Sequence, residues 1–250
     1  MDGGPSDDVV AEADRIIEAV RAAGIPARLT GGVAIRRRSR SAAVEPLKRD
    51  YADVDLVLGK GAQKPLSELM VRLGYVPDST FNTLHGIDRM YFADIAHGRH
   101  VDVFVGSIRM CHTLDVSTRL ARLDDTLTVT DLLLTKLQVV ELNHKDVIDL
   151  IAILLDHEVA PTGDDQIDAG LLEQLWAGDW PLWRTCGMTL EKVEAKVDQI
   201  LPPEQADVVR TRVAEIEHVR ARGRKSLAWK LRNGVGDHMR WYELPDEVDQ

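Results

Sequence analysis

The chain has few of the features that mark membrane-spanning, secreted or disulfide-linked proteins. Its 250 residues include two cysteines, Cys111 and Cys186, too few for a disulfide framework or a cysteine-built zinc site. The longest apolar runs are only a few residues, far short of the ~20 that cross a bilayer. The first residues, MDGGPSDD, are acidic and lack the basic and then apolar layout of a signal peptide. We therefore expect a cytoplasmic, reduced protein with no membrane partner.

Positive charge is also in the minority, with 31 Lys and Arg against 41 Asp and Glu and a net charge of −10. This balance argues against wholesale coating of nucleic acid but leaves room for a local basic groove. Basic residues crowd two stretches, 36–40 and 210–232, and all five tryptophans lie beyond residue 175. The shift in composition predicts a second structural unit towards the C-terminus.

Apolar periodicity predicts an α/β (α+β) protein. Helical spacing occurs at 9–20, 65–73, 129–140, 145–155, 190–201 and 204–222. Extended segments are expected at 27–30, 53–58, 88–95 and 100–105, with a hairpin turn at 96–99. Residues 157–170 contain proline, glycine and several aspartates, which is typical of a linker. We therefore expect one α/β domain over residues 1–160 and a helical domain over residues 161–250.

Three features of the N-terminal part point to chemistry: the pair Gly31 and Gly32, the pair Asp53 and Asp55, and Asp102 in an apolar strand. Aspartates at alternate positions of a strand point the same way, about 7 Å apart. Such carboxylates are costly to bury without a cation, and Mg²⁺ prefers oxygen ligands. A third carboxylate on a neighbouring strand would complete a two-metal site. A glycine pair after a strand allows the backbone to approach phosphates closely.

Each feature taken alone has a plainer interpretation. Asp53 and Asp55 fit an alternating edge strand with one solvated face. Gly31 and Gly32 fit a tight turn, and Asp102 fits a hydrogen bond to His100 or Arg99. The order and spacing of all three together favour the metal and phosphate interpretation.

The same residues resemble a known family. The segments Gly31-Gly32-Val33-Ala34, Tyr51-Ala52-Asp53-Val54-Asp55-Leu56 and Val101-Asp102-Val103-Phe104 are similar to motifs of the DNA polymerase β-type nucleotidyltransferase superfamily. The helix at 131–138, followed by Lys145-Asp146-Val147-Ile148-Asp149-Leu150, resembles the AbiEii-like branch, some members of which are toxins of toxin–antitoxin pairs. The resemblance covers residues 25–156.

The resemblance implies a nucleotidyltransferase core: a mixed β-sheet flanked by helices, followed by a helical C-terminal unit. It implies transfer of a nucleoside monophosphate from an NTP to an acceptor hydroxyl, with Mg²⁺, as two ions, or Mn²⁺ as cofactor. Asp53, Asp55 and Asp102 would be metal ligands, and Asp102 would also help to deprotonate the acceptor. Gly31, Gly32 and Lys136 would bind the nucleotide, and Asp146 would orient Lys136 or another basic side chain.

The acceptor is left open between several classes. Toxin-like relatives imply RNA or tRNA as the acceptor and an antitoxin protein as a partner. A net charge of −10 also suits a cationic small molecule such as an aminoglycoside or lincosamide. A catalytically silent nucleotide-binding module is the third alternative.

Val33 stands where the superfamily usually has Ser or Thr, which would weaken phosphate binding. The C-terminal stretch 220–242 combines Trp with basic residues, as in RNA-binding surfaces or in side-chain stems covering an apolar helix.

Overall fold

The computed structural model describes residues 4–120 and 125–244. Packing divides the chain into two units. The first comprises Met1–Arg37, Asp50–Ile108 and Thr113–Leu127, and the second comprises Arg38–Arg49, Arg109–His112 and Thr128–Gln250. The boundaries between these two units do not fall at residue 160. The predicted division into domains at residue 160 stays a prediction. Among the described residues, none of the helices combines the length and apolar content that crossing a bilayer requires.

The first unit is built on a five-stranded sheet. Its strands are β1 (Ala27–Thr30), β2 (Val54–Leu58), β3 (Val76–Pro77), β4 (Arg89–Asp94) and β5 (Arg99–Val105). Their spatial order is β1-β2-β5-β4-β3. The β2–β5 pair is parallel and the other pairs are antiparallel, so the prediction of a mixed α/β protein is confirmed at this level.

Alternation along the strands gives the sheet one apolar face and a second face, called polar here, which carries the aspartates beside buried Val57 and Phe104. On β2, Val54, Leu56 and Leu58 are fully buried, whereas Asp55 between them is half-buried. The apolar side chains form the core together with helices α1 (Val9–Ala22) and α3 (Gln63–Arg72). Asp8 begins α1 by accepting hydrogen bonds from two of its first backbone N–H groups, as N-cap residues do. The aspartates of the central strands are thereby left on the opposite face.

Shorter elements complete the first unit. Helix α2 (Gly31–Arg38) follows β1 directly, and α4 (Ser79–His85) precedes β4. Strands β6 (Ser107–Arg109) and β7 (Thr113–Asp115) form a two-stranded sheet.

The second unit is mainly helical in the residues that the structure describes. Its helices are α5 (Val129–Leu137), α6 (His144–Asp156), α7 (Ala169–Gly178), α8 (Trp180–Ile200), α9 (Pro203–Ala221) and α10 (Leu227–Val235). Two short parallel strands, β8 (Val159–Ala160) and β9 (Ile167–Asp168), and two 3₁₀ turns, Arg40–Ala43 and Gly236–His238, complete it. Fully buried apolar residues on α6 and α8 supply much of its core.

The predicted linker and the predicted helix at 190–201 need correction. Residues 157–170 contain β8 and β9 and run into α7, and Asp168 caps that helix. Helix α8 begins at Trp180, where Asp179 caps it and Pro181 stands in its first turn. Proline fits the first turn of a helix because no intrahelical N–H bond is lost there. The tryptophans hid the helical period, because they supply apolar surface at positions that the aliphatic pattern leaves out.

Candidate active site

Two of the predicted carboxylates are direct neighbours on the polar face of the sheet. Asp55 on β2 and Asp102 on β5 are register partners in the parallel pair. Side chains of register partners on adjacent strands lie on the same face of a sheet. Asp53 lies directly before β2, and its carboxylate accepts a hydrogen bond from the backbone of β5. Strand pairing thus makes two of the three predicted aspartates, Asp55 and Asp102, direct neighbours.

Gly31 lies directly against one of these carboxylates. Its φ is +66°, a left-handed conformation that glycine adopts without steric cost. A Cβ at this position would overlap Asp55 Oδ2 and would lie 2.7 Å from Asp55 Cγ. Only a residue without a side chain leaves the carboxylate where it is. Gly31 is also the first residue of α2, and Gly32 is the second, so the turn after β1 begins a helix at the edge of the carboxylate cluster.

Arg89 on β4 neutralises part of the negative charge. Its Nε donates to Asp102 Oδ1 at 2.8 Å, and its second guanidinium nitrogen donates to Asp102 Oδ2. Hydrogen bonding to Asp102 raises the pKa of Arg89, against the opposing effect of burial. Both carboxylate oxygens of Asp102 therefore accept hydrogen bonds from one cation. Sequence reasoning missed Arg89, because its partner lies on another strand and the register was unknown.

Asp53 is held by the backbone of the neighbouring strand. The N–H of His100 donates to Asp53 Oδ1 at 2.8 Å, and His100 Nδ1 lies 3.8 Å from the same oxygen. The His100 ring stacks on Tyr91, with ring centroids 4.8 Å apart. Burial raises the pKa of the Tyr91 hydroxyl, and the charges of Asp53 and Asp102 raise it further. The pKa of Tyr91 therefore depends on the charges of these two carboxylates.

The donor atoms fit a hard divalent cation in kind. The three side chains offer carboxylate oxygens, which suit Mg²⁺. Thr30 Oγ1, on the register partner of Asp55, is buried and finds no hydrogen-bond partner in the described residues. Within residues 4–120 and 125–244, however, the side chains are not gathered into a set of three or more His, Cys, Asp or Glu that could hold a metal. Arg89 donates to both oxygens of Asp102, so a bound ion would share that carboxylate with the guanidinium through the remaining lone pairs.

The two other predicted site residues pair with each other in the second unit. Lys136 Nζ on α5 lies 2.7 Å from Asp146 Oδ1 and 3.0 Å from Asp149 Oδ2. Arg49 donates to both oxygens of Asp149 at 2.8 Å. Burial lowers the pKa of Lys136, but the two carboxylates outweigh it and the net shift is upward. The lysine is therefore a buried cation with two anionic partners.

Sequence reasoning paired Lys136 with Asp146 but missed Asp149 and Arg49. Asp149 lies three residues after Asp146 on α6, so helical spacing places the two carboxylates on one face. That signal was available in the sequence. Arg49 precedes Asp149 by 100 residues, and no local pattern indicates this contact. The predicted roles of Lys136 and Asp146 towards a nucleotide stay predictions.

In the C-terminal stretch at 220–242, basic side chains lie over tryptophan rings. The Arg232 guanidinium carbon is 4.2 Å from the Trp180 ring centroid, and that of Arg220 is 4.4 Å from that of Trp183. Trp180 is 2% exposed. These contacts are packing within the second unit and agree with the plainer of the two interpretations offered for this stretch.

Comparison with known proteins supplies no family assignment. Neither protein-family models nor the curated proteins contain a match to this chain.

Proposed function

We propose that the chain is a magnesium-dependent nucleotidyltransferase that moves a nucleoside monophosphate from an NTP to an acceptor hydroxyl. The supporting observation is the register of β2 and β5, which makes Asp55 and Asp102 neighbours while Gly31 lies against Asp55. A carboxylate cluster beside a glycine at a helix start suits both a divalent cation and the phosphates that such a cation accompanies. The nucleotidyltransferase core and the polymerase β-type assignment are part of this proposal.

Asp53, Asp55 and Asp102 would hold the metal, and Mg²⁺ would supply charge neutralisation for the triphosphate. The glycine pair would let the phosphates approach the backbone at the start of α2. The acceptor oxygen forms a bond to the α-phosphorus, the bond from that phosphorus to the bridging oxygen breaks, and pyrophosphate leaves with the electron pair. Asp102 would accept the proton of the hydroxyl. Phosphoryl transfer of this kind depends mainly on positioning and electrostatic stabilisation.

Arg89 favours a second candidate function, a nucleotide-binding module without catalysis. It donates to both oxygens of Asp102, and the guanidinium neutralises the charge that would otherwise attract a metal ion or a proton. The two candidates differ in one measurable respect, since only the enzyme transfers label from the α-phosphate to an acceptor.

The deciding experiment follows transfer of ³²P from each α-labelled NTP, with Mg²⁺, to total tRNA and separately to an aminoglycoside mixture. Asp53→Asn and Asp55→Asn should abolish transfer. Glu68→Gln removes the same charge at an exposed position on α3 and should leave transfer unchanged. Label on RNA would support the RNA-directed enzyme, and label on the drug would support the small-molecule alternative.

Triphosphate binding without transfer to any acceptor would favour the silent module, and absence of triphosphate binding would overturn the whole proposal. The toxin setting has a separate test in growth. Expression of the wild-type chain should slow the host, and Asp53→Asn should relieve the effect.

A further inference from the structure

Three rings of the first unit form a continuous aromatic strip, defined here as Phe81 on α4, Tyr91 on β4 and His100 on β5. The ring centroids of Phe81 and Tyr91 are 5.9 Å apart, and those of Tyr91 and His100 are 4.8 Å apart. All three side chains are half-buried, and that of His100 keeps 38% of its surface exposed. The strip therefore presents ring surface to solvent, unlike the fully buried Phe92 of the opposite face.

The aromatic strip ends at the carboxylate cluster. Tyr91 is the register partner of Asp102, and the backbone N–H of His100 donates to Asp53. Tyr91 and His100 consequently lie on the face of the sheet that carries Asp55 and Asp102. Two further apolar side chains are exposed nearby: Leu84, at 71%, in the last turn of α4, and Ile87, at 80%, between α4 and β4. A flat aromatic or heteroaromatic group is the ligand that stacked, partly exposed rings recognise.

Sheet order places the aromatic strip on the side of the carboxylates away from Gly31. Gly31 follows β1, the carboxylates lie on β2 and β5, and Tyr91 lies on β4, next in the order β1-β2-β5-β4. In phosphoryl transfer the attacking oxygen and the leaving group lie on opposite sides of the phosphorus, in line. If the phosphates that leave lie on the Gly31 side, the acceptor enters from the β4 side.

We propose that the aromatic strip binds the terminal nucleobase of the acceptor, which makes the acceptor the 3′ end of a single-stranded RNA. This inference rests on the proposed function and goes beyond it by naming the acceptor class and the residues that select it. Stacking on protein rings discriminates a base-bearing end from one without a base, and it tolerates every base because each has a π-face.

The test is a binding measurement that requires no chemistry. Two fluorescein-labelled single-stranded octaribonucleotides, identical except that one has an abasic 3′-terminal residue, are titrated with the protein in Mg²⁺ and without NTP. Fluorescence anisotropy should show that the base-bearing probe binds about 5- to 140-fold more tightly. Tyr91→Leu and His100→Leu should reduce this ratio towards one, because they remove the rings and leave the backbone bond to Asp53.

Matched variants separate stacking from folding. Tyr91→Phe keeps the ring and should keep the ratio, whereas a role for the hydroxyl alone would make it behave like Tyr91→Leu. His218→Leu removes an exposed ring of the second unit outside the stretch 220–242 and should leave the ratio unchanged. Phe81→Leu provides a second ring deletion should Tyr91→Leu melt at a much lower temperature than the wild type.

The outcomes distinguish this inference from the proposed function. Equal affinity for the two probes, or equal loss of both in Tyr91→Leu, overturns the inference even if label transfer is observed. Ring-dependent discrimination without label transfer to any acceptor overturns the proposed function and leaves a nucleobase-binding surface. Transfer of label to an aminoglycoside, with no discrimination between the probes, also overturns the inference.

Discussion

Substitution of Gly31 by alanine is the sharpest test of the site geometry, because a glycine elsewhere in the same unit supplies a matched control. Gly24, which follows α1, has a φ of +65° and open space where a Cβ would lie. Gly31 has a φ of +66° and the Asp55 carboxylate in that space. The left-handed backbone therefore destabilises the two alanine variants equally, and only Gly31→Ala also displaces a side chain.

The expected magnitudes follow from these two observations. A left-handed backbone costs an alanine about 1–2 kcal/mol, so Gly24→Ala should lower the free energy of unfolding by that amount. Gly31→Ala should cost about 1–3 kcal/mol more, which is the usual range for forcing extra volume into a packed position. The assay is chemical denaturation of the two variants side by side, followed by titration with Mn²⁺. The metal should bind Gly31→Ala less tightly than Gly24→Ala, because Asp55 has moved.

A double-mutant cycle completes this test. Asp55→Gly removes the three atoms that lie nearest to a Cβ at residue 31, whereas Asp55→Ala would retain a Cβ 2.9 Å away. In the Asp55→Gly background, Gly31→Ala should cost no more than Gly24→Ala costs in the wild type. Equal destabilisation by Gly31→Ala and Gly24→Ala in the wild type would refute the contact between Gly31 and Asp55.

Three further predictions concern the charged networks. Lys136→Met should lower the free energy of unfolding in urea by about 3–5 kcal/mol, because it removes the buried cation that Asp146 and Asp149 share, whereas Lys64→Met at an exposed position of α3 should change it by no more than about 0.5 kcal/mol. The pKa of Glu12 lies below its ordinary 4.5: burial raises it, but hydrogen bonds from Arg15, Ser6 and Tyr75 outweigh burial. Ionised Glu12 therefore stabilises the fold above pH 4.5, and this stabilisation is lost as the pH falls through the depressed pKa. In acid unfolding experiments, the free energy of unfolding of Glu12→Gln should change less with pH in this range than that of the wild type. Arg89→Met should bind Mn²⁺ about tenfold more tightly by calorimetry, because a competing cation is removed, and unchanged affinity would mean that Asp102 is not a ligand.

Much of the first unit could be predicted because local sequence patterns indicate its strands. The strand at 27–30 was predicted with the bounds that the structure has, and the alternation at 53–58 matches β2. Alternation also indicates that Asp53 and Asp55 share a face, because the side-chain period of a strand is two. These statements need no knowledge of what the strand pairs with.

The sequence alone does not predict which strands pair or in which register. That Asp55 stands opposite Asp102, and Arg89 within reach of Asp102, depends on the register of three strands from distant parts of the chain. A shift of one residue would reverse the faces of every side chain on a strand. The same limit applies to Arg49, whose contact with Asp149 is not encoded in either local segment.

The parallel pairing of β2 and β5 also has a consequence for the order in which the protein acquires its site. Asp55 and Asp102 are 47 residues apart along the chain, and the segment between them contributes α3, β3, α4 and β4 to the same unit. Long-range pairing of this kind closes a large loop, and the chain entropy is lost before the new contacts stabilise the fold. During synthesis, a nascent chain that has not yet emerged beyond β5 has two of the aspartates and the glycine pair but lacks the third carboxylate. The site of the proposed chemistry therefore cannot assemble until well over a third of the chain has left the ribosome.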